Sequence, residues 1–144
     1  MKNTDIVITA ANRTAVGALG KSLKNIHAHE LGSATIEGLI KKTSIEKDDI
    51  DEVILGQVLT AGCGQNPARQ ASVNAGIPIS KPAHIINQVC GSGLRAVISG
   101  YQSIKLGEAK NVISGGQENM SLAPHSIFYR DNKKISEKHL VDTM

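Results

Sequence analysis

The sequence is poor in aromatic residues. Its 144 residues include no Trp, one Phe (Phe128) and two Tyr, and no aromatic residue precedes Tyr101. The chain before Tyr101 must therefore build its core from Ile, Val, Leu and Ala, which suit helices packed on a buried parallel sheet. Aromatic platforms on which nucleic-acid bases could stack are also absent from that part of the chain.

The sequence also has no strong excess of charge of either sign. Lys and Arg together number 16 and Asp and Glu number 13, for a net charge of +3. The basic residues are scattered among acidic ones and form no stripe that could neutralise the phosphate backbone of a nucleic acid. We expect no nucleic-acid partner.

Long hydrophobic runs are missing as well. No stretch approaches the roughly 20 apolar residues that span a bilayer, and the apolar stretch Ile6–Thr9 is too short and too early for a signal-peptide core. We therefore expect no membrane partner and a cytoplasmic location. Hydrophobic residues make up 40% of the chain and charged residues 20%, values typical of one globular domain at this length.

Cysteine is scarce, with only Cys63 and Cys90. Two cysteines without paired ligands at metal spacing indicate neither a disulfide framework nor a zinc site. His27 and His29 stand two apart on a predicted helix and should face different sides of it, which is wrong for a shared metal. We expect no metal, and any cysteine chemistry must use a free thiol.

Short apolar runs alternate with longer segments of helical periodicity. Cap signals mark the helices: Asn66 precedes Pro67 at one start, and Gly107 ends the last helix. The order β-α-β-α-β-α-β predicts a layered α/β fold with a largely parallel sheet, because parallel strands need crossover helices. The predicted strands are residues 6–9, 53–55, 83–89 and 111–114, and the predicted helices are residues 27–42, 67–75 and 91–106.

The pattern changes after Gly116. Residues 117–144 show no clear period, which predicts the start of a loop segment after an α/β domain at residues 1–116. The chain then stops at Leu140–Met144 with neither a helix cap nor a closing strand. We expect it to be truncated there.

The segment Asn87–Ala96 carries the strongest chemical signal, because Cys90 falls between a predicted strand and the first turn of a long helix. Unpaired N–H groups at a helix N-terminus stabilise a thiolate, and Gly91 and Gly93 leave the approach to the sulfur free of side chains. This placement predicts that Cys90 is a nucleophile.

Two alternatives remain open for this segment. A lone cysteine at a strand end is often a buried packing residue. The spacing Gly91-x-Gly93-x-x-Ala96 also fits a dinucleotide-binding fingerprint with Glu118 as a ribose ligand, although the fingerprint would then follow the third strand instead of the first.

Five separated segments of the chain, in order, resemble the N-terminal part of the thiolases, and most of all their acetyl-CoA acetyltransferase (acetoacetyl-CoA thiolase) branch. They cover nearly the whole chain. The segments are Arg13–Gly17, Glu52–Leu59, Gly64–Gln70, Asn87–Ala96 and Gly115–Ser121.

The resemblance implies a thiolase-like fold and a reaction. Cys90 matches the acyl-accepting cysteine, which takes an acetyl group from acetyl-CoA, and a second acetyl-CoA then takes up that group to give acetoacetyl-CoA. The coenzyme A thioester is the substrate, and no further cofactor is implied. The resemblance also implies a homo-oligomer, a dimer or a tetramer, and makes residues 117–144 the start of an oligomerisation segment.

The chain departs from the thiolases in length. Thiolases are more than twice as long and consist of two similar α/β halves, and the second half supplies a histidine in a Gly-His-Pro motif and a second catalytic cysteine. Neither has a counterpart in this sequence. The resemblance therefore implies an incomplete enzyme, and a non-catalytic remnant or interaction fragment remains the alternative.

Overall fold

A parallel sheet of three strands lies at the centre of the computed structural model, which describes residues 5–130, 134 and 138–144. Its strands are β1 (Glu52–Gly56), β2 (Ala83–Ile86) and β3 (Val112–Gly116), in the order β2-β1-β3. In the register, Val53 of β1 lies opposite Ala83 on one side and Ile113 on the other. The central strand is buried on both faces, as its run of Val, Ile and Leu predicts.

Three helices cover the two faces of the sheet: α1 (Ala28–Thr43), α2 (Pro67–Asn74) and α3 (Ser92–Leu106). Helices α1 and α2 pack against each other and share a core with Val53 and Leu55 of β1. Helix α3 packs on β1 and β3. Gly100 of α3 lies against Val112 and Ser114 of β3, whereas Ile113 between them packs on the core that α1 and α2 share. Because alternate strand residues point to opposite faces, α3 lies on the other side of the sheet. The predicted layered α/β fold is confirmed.

The cap signals in the sequence mark the helix ends correctly. The Asn66 side chain accepts a hydrogen bond from the Arg69 amide at 3.0 Å, with Pro67 as the first residue of α2. Helix α3 ends at Gly107, which has φ of 78°, a conformation that glycine adopts without steric cost.

The prediction for His27 and His29 is wrong in one respect. His27 is the residue before α1 and not part of it, and the two rings stack with centroids 5.4 Å apart. Helical spacing does not apply to a residue that has left the helix.

The predicted first strand, residues 6–9, is also wrong. The segment forms no strand. A groove of about 410 Å³ lies between residues 6–10 and residues 110–114, a range that includes the first half of β3. Val7 and Ile8 are largely exposed. A strand needs a hydrogen-bonded neighbour, and among the described residues this segment has none, so the described sheet has three strands where the sequence predicts four.

The chain after the sheet forms a 3-10 turn at Met120–Leu122 and a small antiparallel pair, β4 (His125–Ser126) with β5 (Val141–Asp142). Residues 131–133 and 135–137 of the predicted loop segment lie outside the described residues. The division of the chain between residues 116 and 117 stays a prediction. In the part of the chain that the structure describes, no helix is long and apolar enough to cross a membrane.

Asp51, just before β1, ties the start of that strand to β3. Its carboxylate accepts hydrogen bonds from the Lys110 amide at 2.7 Å and the Asn111 amide at 3.1 Å. These two amides, followed by the charges of Lys81 and Lys110, hold the pKa of Asp51 below its usual value. A carboxyl whose pKa is lowered by folding stabilises the fold above its unfolded pKa, and that stability is lost as the pH falls through the folded pKa.

We therefore expect Asp51→Asn to lower the free energy of unfolding at pH 7 by about 1 kcal/mol, a modest value because the side chain is partly exposed and screened. The difference from the unmodified chain should shrink as the pH falls from about 4 through the lowered folded pKa, because the Asp51 carboxyl then becomes protonated in the folded state as well as in the unfolded state. Urea unfolding at pH 7 and pH 3 measures it, with the exposed Asp5→Asn as control. A constant difference at both pH values would contradict the assigned cause.

Candidate active site

Cys90 lies in a turn between β2 and α3, and its side chain is exposed. Strand β2 ends at Ile86, not at Val89 as predicted, and α3 begins at Ser92 with Gly91 as its N-cap, one residue later than predicted. The intervening turn is closed by hydrogen bonds from the Gly91 amide to Gln88 O (3.0 Å) and from the Ser92 amide to Val89 O (3.1 Å). The structure thus places Cys90 between strand and helix, as the sequence predicts.

Backbone strain precedes the cysteine. Val89 has φ of +50°, in the left-handed region, where a β-branched residue is a genuine outlier. Such strain persists only where surrounding contacts determine the conformation. Sequence reasoning missed it because valine carries no signal for positive φ.

Polar side chains on both sides of the turn contact Val89. The Ser92 hydroxyl donates to Val89 O at 2.6 Å and accepts from the Gln88 amide at 2.8 Å. The Asn87 side chain accepts from the Val89 amide at 3.0 Å and donates to Val58 O at 3.4 Å. Both amide and carbonyl of Val89 are therefore held by side chains.

Two strand ends approach the start of α3 closely because they carry glycine. A Cβ added to Gly56, at the end of β1, would lie 2.5 Å from the backbone nitrogen of Gly93 and 2.7 Å from Ser92 Cβ. One added to Gly116, at the end of β3, would lie 3.3 Å from Gly93 Cα. In the sequence, the trace of this packing is a glycine just after the apolar part of each strand. The reason for the glycine cannot be seen there, because the helix that packs against it is distant in sequence.

The loop after β1 is fixed by Glu118. Its Oε2 accepts hydrogen bonds from the Val58 amide at 2.8 Å and the Leu59 amide at 3.2 Å. The neighbouring Gln117 donates to Gln57 Oε1 at 2.8 Å. Glu118, the ribose ligand of the dinucleotide alternative, thus uses its carboxylate in hydrogen bonds within the chain, which join the ends of β1 and β3.

The remaining candidate residues lie in structural settings. Cys63 is partly buried in a loop, with Sγ 3.5 Å from Leu59 O. His84, on β2, has Nδ1 3.3 Å from Glu52 Oε1, to which strand pairing brings it. Among the described residues, no group of three or more His, Cys, Asp or Glu side chains is placed to hold a metal ion.

The thiol and the backbone amide of Cys90 make no hydrogen bond to any residue that the structure describes. An exposed thiol beside a helix N-terminus with an uncommitted amide has the parts needed to attack a carbonyl carbon and to receive the resulting oxyanion. No described side chain pairs with Cys90 as a base. Among the described residues, the arrangement therefore supplies a nucleophile whose thiol has no hydrogen-bonded proton acceptor.

Comparisons with known proteins agree with this architecture. A family model described as "Thiolase, N-terminal domain" matches residues 6–144. An acetyl-CoA acetyltransferase of Rhizobium meliloti (strain 1021) is 51% identical over 144 residues, which is 100% of this chain and 37% of that protein. A cytosolic acetyl-CoA acetyltransferase of Rattus norvegicus is 46% identical over 139 residues, which is 96% of this chain and 35% of that protein.

Solved structures match as well. The crystal structure of the Bacillus anthracis acetyl-CoA acetyltransferase superposes with a TM-score of 0.89 at 34% identity, over 95% of this chain and 35% of that chain. That of an Ascaris suum thiolase in complex with coenzyme A superposes with a TM-score of 0.81 at 37% identity, over 87% of this chain and 32% of that chain. The chain spans about a third of the length of the curated relatives it matches. It has a thiolase-like fold and belongs to the thiolase family, matching its N-terminal domain.

Proposed function

We propose that this chain supplies the acyl-accepting part of an acetyl-CoA C-acetyltransferase and that Cys90 is the residue that accepts the acetyl group. The observation that carries this proposal is the position of an exposed cysteine at the strand-to-helix turn of a chain whose whole length matches acetyl-CoA acetyltransferases. A buried packing role does not fit an exposed side chain.

The first step forms one thioester and breaks another. The Cys90 thiolate attacks the carbonyl carbon of acetyl-CoA, and coenzyme A leaves as its thiolate, so the bond energies nearly balance. The uncommitted Cys90 amide is suited to stabilise the oxyanion during the attack. In the second step a general base, which the described residues do not place at Cys90, takes a proton from the α-carbon of another acetyl-CoA. The resulting carbanion attacks the acetyl carbon, which yields acetoacetyl-CoA and frees the Cys90 thiolate.

Other parts of the proposal follow from the same relationship. Coenzyme A thioesters are the ligands, in line with the coenzyme A complex of the Ascaris suum thiolase, and no further cofactor or metal takes part. The protein works in the cytoplasm, as the name of its Rattus norvegicus relative supports, and as a homo-oligomer, a dimer or a tetramer.

Acetyl transfer to Cys90 is the test. Incubation with acetyl-CoA should add one acetyl group per chain, slowly, and peptide mapping should place it on Cys90, because Cys63 is partly buried in its loop. Cys63→Ala should keep the modification and Cys90→Ala should lose it. Acetylation at Cys63 instead, or at neither cysteine, would contradict the assignment and favour a non-catalytic fragment.

A further inference from the structure

We infer that Ser92 is a positioning residue that holds Val89 in its left-handed conformation and thereby sets the orientation of Cys90. This inference rests on the proposed role of Cys90. The juxtaposition that carries it is a buried serine hydroxyl bonded to both sides of a strained residue.

The strain at Val89 needs an external cause. A β-branched residue with φ of +50° is less stable than the same residue in an ordinary conformation. The side chain of Val89 is 64% exposed, so packing around it does not impose this conformation. The hydrogen bonds to its backbone remain as the cause.

Ser92 is a fixed anchor for those hydrogen bonds. It is the first residue of α3 and only 4% exposed, and the end of β1 at Gly56 packs directly against it. Its hydroxyl donates to Val89 O and accepts from the Gln88 amide, so it spans the turn ahead of Cys90. The side chain therefore links the turn to the rigid junction of β1 and α3.

Loss of the hydroxyl should release the turn. Val89 then relaxes toward negative φ, and the peptide group between Val89 and Cys90 rotates with it. That rotation moves the thiol and the Cys90 amide relative to the N-terminus of α3. The thiolate loses the stabilisation that the helix N–H groups provide, and the thiol becomes less reactive.

The test measures alkylation of Cys90 by iodoacetamide near pH 7, with the rate at Cys63 in the same sample as an internal reference. Ser92→Ala should slow the Cys90 reaction roughly tenfold and leave the Cys63 rate unchanged. The matched control is Ser72→Ala: Ser72 is also buried, and its hydroxyl has no hydrogen-bond partner in the part of the chain that the structure describes. That control should leave both rates unchanged.

The second variant is Val89→Gly, because glycine adopts positive φ without steric cost. If Ser92 acts by holding Val89, the double variant Ser92→Ala with Val89→Gly should regain the Cys90 rate of Val89→Gly alone. A general structural role for Ser92 predicts no such rescue. An unchanged Cys90 rate in Ser92→Ala, or a double variant as slow as Ser92→Ala, would overturn the inference.

If Ser92→Ala loosens the whole fold, the alkylation rate at Cys63 should rise. The double variant then still tests the inference. A return of both alkylation rates to those of Val89→Gly alone supports it, and a return of neither rate overturns it. Alkylation needs no acetyl-CoA, so it is independent of the proposed activity. Rescue without any acetyl transfer would leave Ser92 as a positioning residue and refute only the acetyltransferase proposal.

Discussion

Gly56→Ala is expected to lower the free energy of unfolding by about 3 kcal/mol or more, the upper range for overpacking a well-packed core. The added Cβ would overlap the backbone of Ser92 and Gly93. A flexible side chain could move aside, but these are main-chain atoms of the first turn of α3. Helix α3 must therefore shift away from β1, and this shift also displaces Cys90.

The matched control is Gly115→Ala. Gly115 lies on β3 opposite Leu55 of β1, and a Cβ added there would meet no atom of the described residues within 4 Å beyond its own chain neighbours. That variant should change the free energy of unfolding by no more than about 0.5 kcal/mol. Urea unfolding followed by circular dichroism compares the two, and equal stability would show that α3 does not pack on β1 as closely as described.

Elements with local signals could be predicted from the sequence. The pair Asn66 and Pro67 marked the start of α2, and Gly107 marked the end of α3, because caps depend on residues next to the helix. The apolar run of β1 was recognised because a central parallel strand is buried on both faces. The position of Cys90 could also be predicted from local signals, because a strand, the cysteine and a helix follow one another in the chain.

Features that depend on distant neighbours could not be predicted. The apolar run Ile6–Thr9 has the composition of a strand, but pairing is a property of its surroundings, and a groove lies between it and β3. The sequence is compatible with a ribose ligand at Glu118, but its carboxylate accepts hydrogen bonds from the amides of Val58 and Leu59, about 60 residues earlier in the chain. The spacing of apolar residues and a short sequence motif contain no information about contacts between residues distant in the chain.

The site beyond Cys90 escaped prediction for a related reason. Ser92 reads as an ordinary residue of a glycine-rich turn, and Val89 as the last residue of a strand. Their importance comes from a positive φ and from one hydroxyl that donates one hydrogen bond and accepts another, which only the folded structure reveals. The sequence therefore indicated where the chemistry lies but not how the turn is held.

With excess acetyl-CoA, the 144-residue chain alone is expected to stop after one acetyl group and to accumulate no acetoacetyl-CoA. Acetylation requires the Cys90 thiolate and an oxyanion donor, and both lie within the turn. Condensation also requires removal of a proton from the α-carbon of a second acetyl-CoA, and among the described residues no basic side chain is hydrogen-bonded to the Cys90 thiol. Loss of a positioned base typically costs a factor of about 10² to 10⁴, on top of the positioning of the second substrate.

The measurement combines intact mass of the protein with quantification of acetoacetyl-CoA over several hours. Cys90→Ala provides the background for both signals, since it keeps the fold but removes the proposed acyl acceptor. The expected record is a single acetyl group per chain and a product level equal to that background. Acetoacetyl-CoA in excess of one equivalent per chain, made by this polypeptide without a partner, would show that the described residues already include the base that the second step needs.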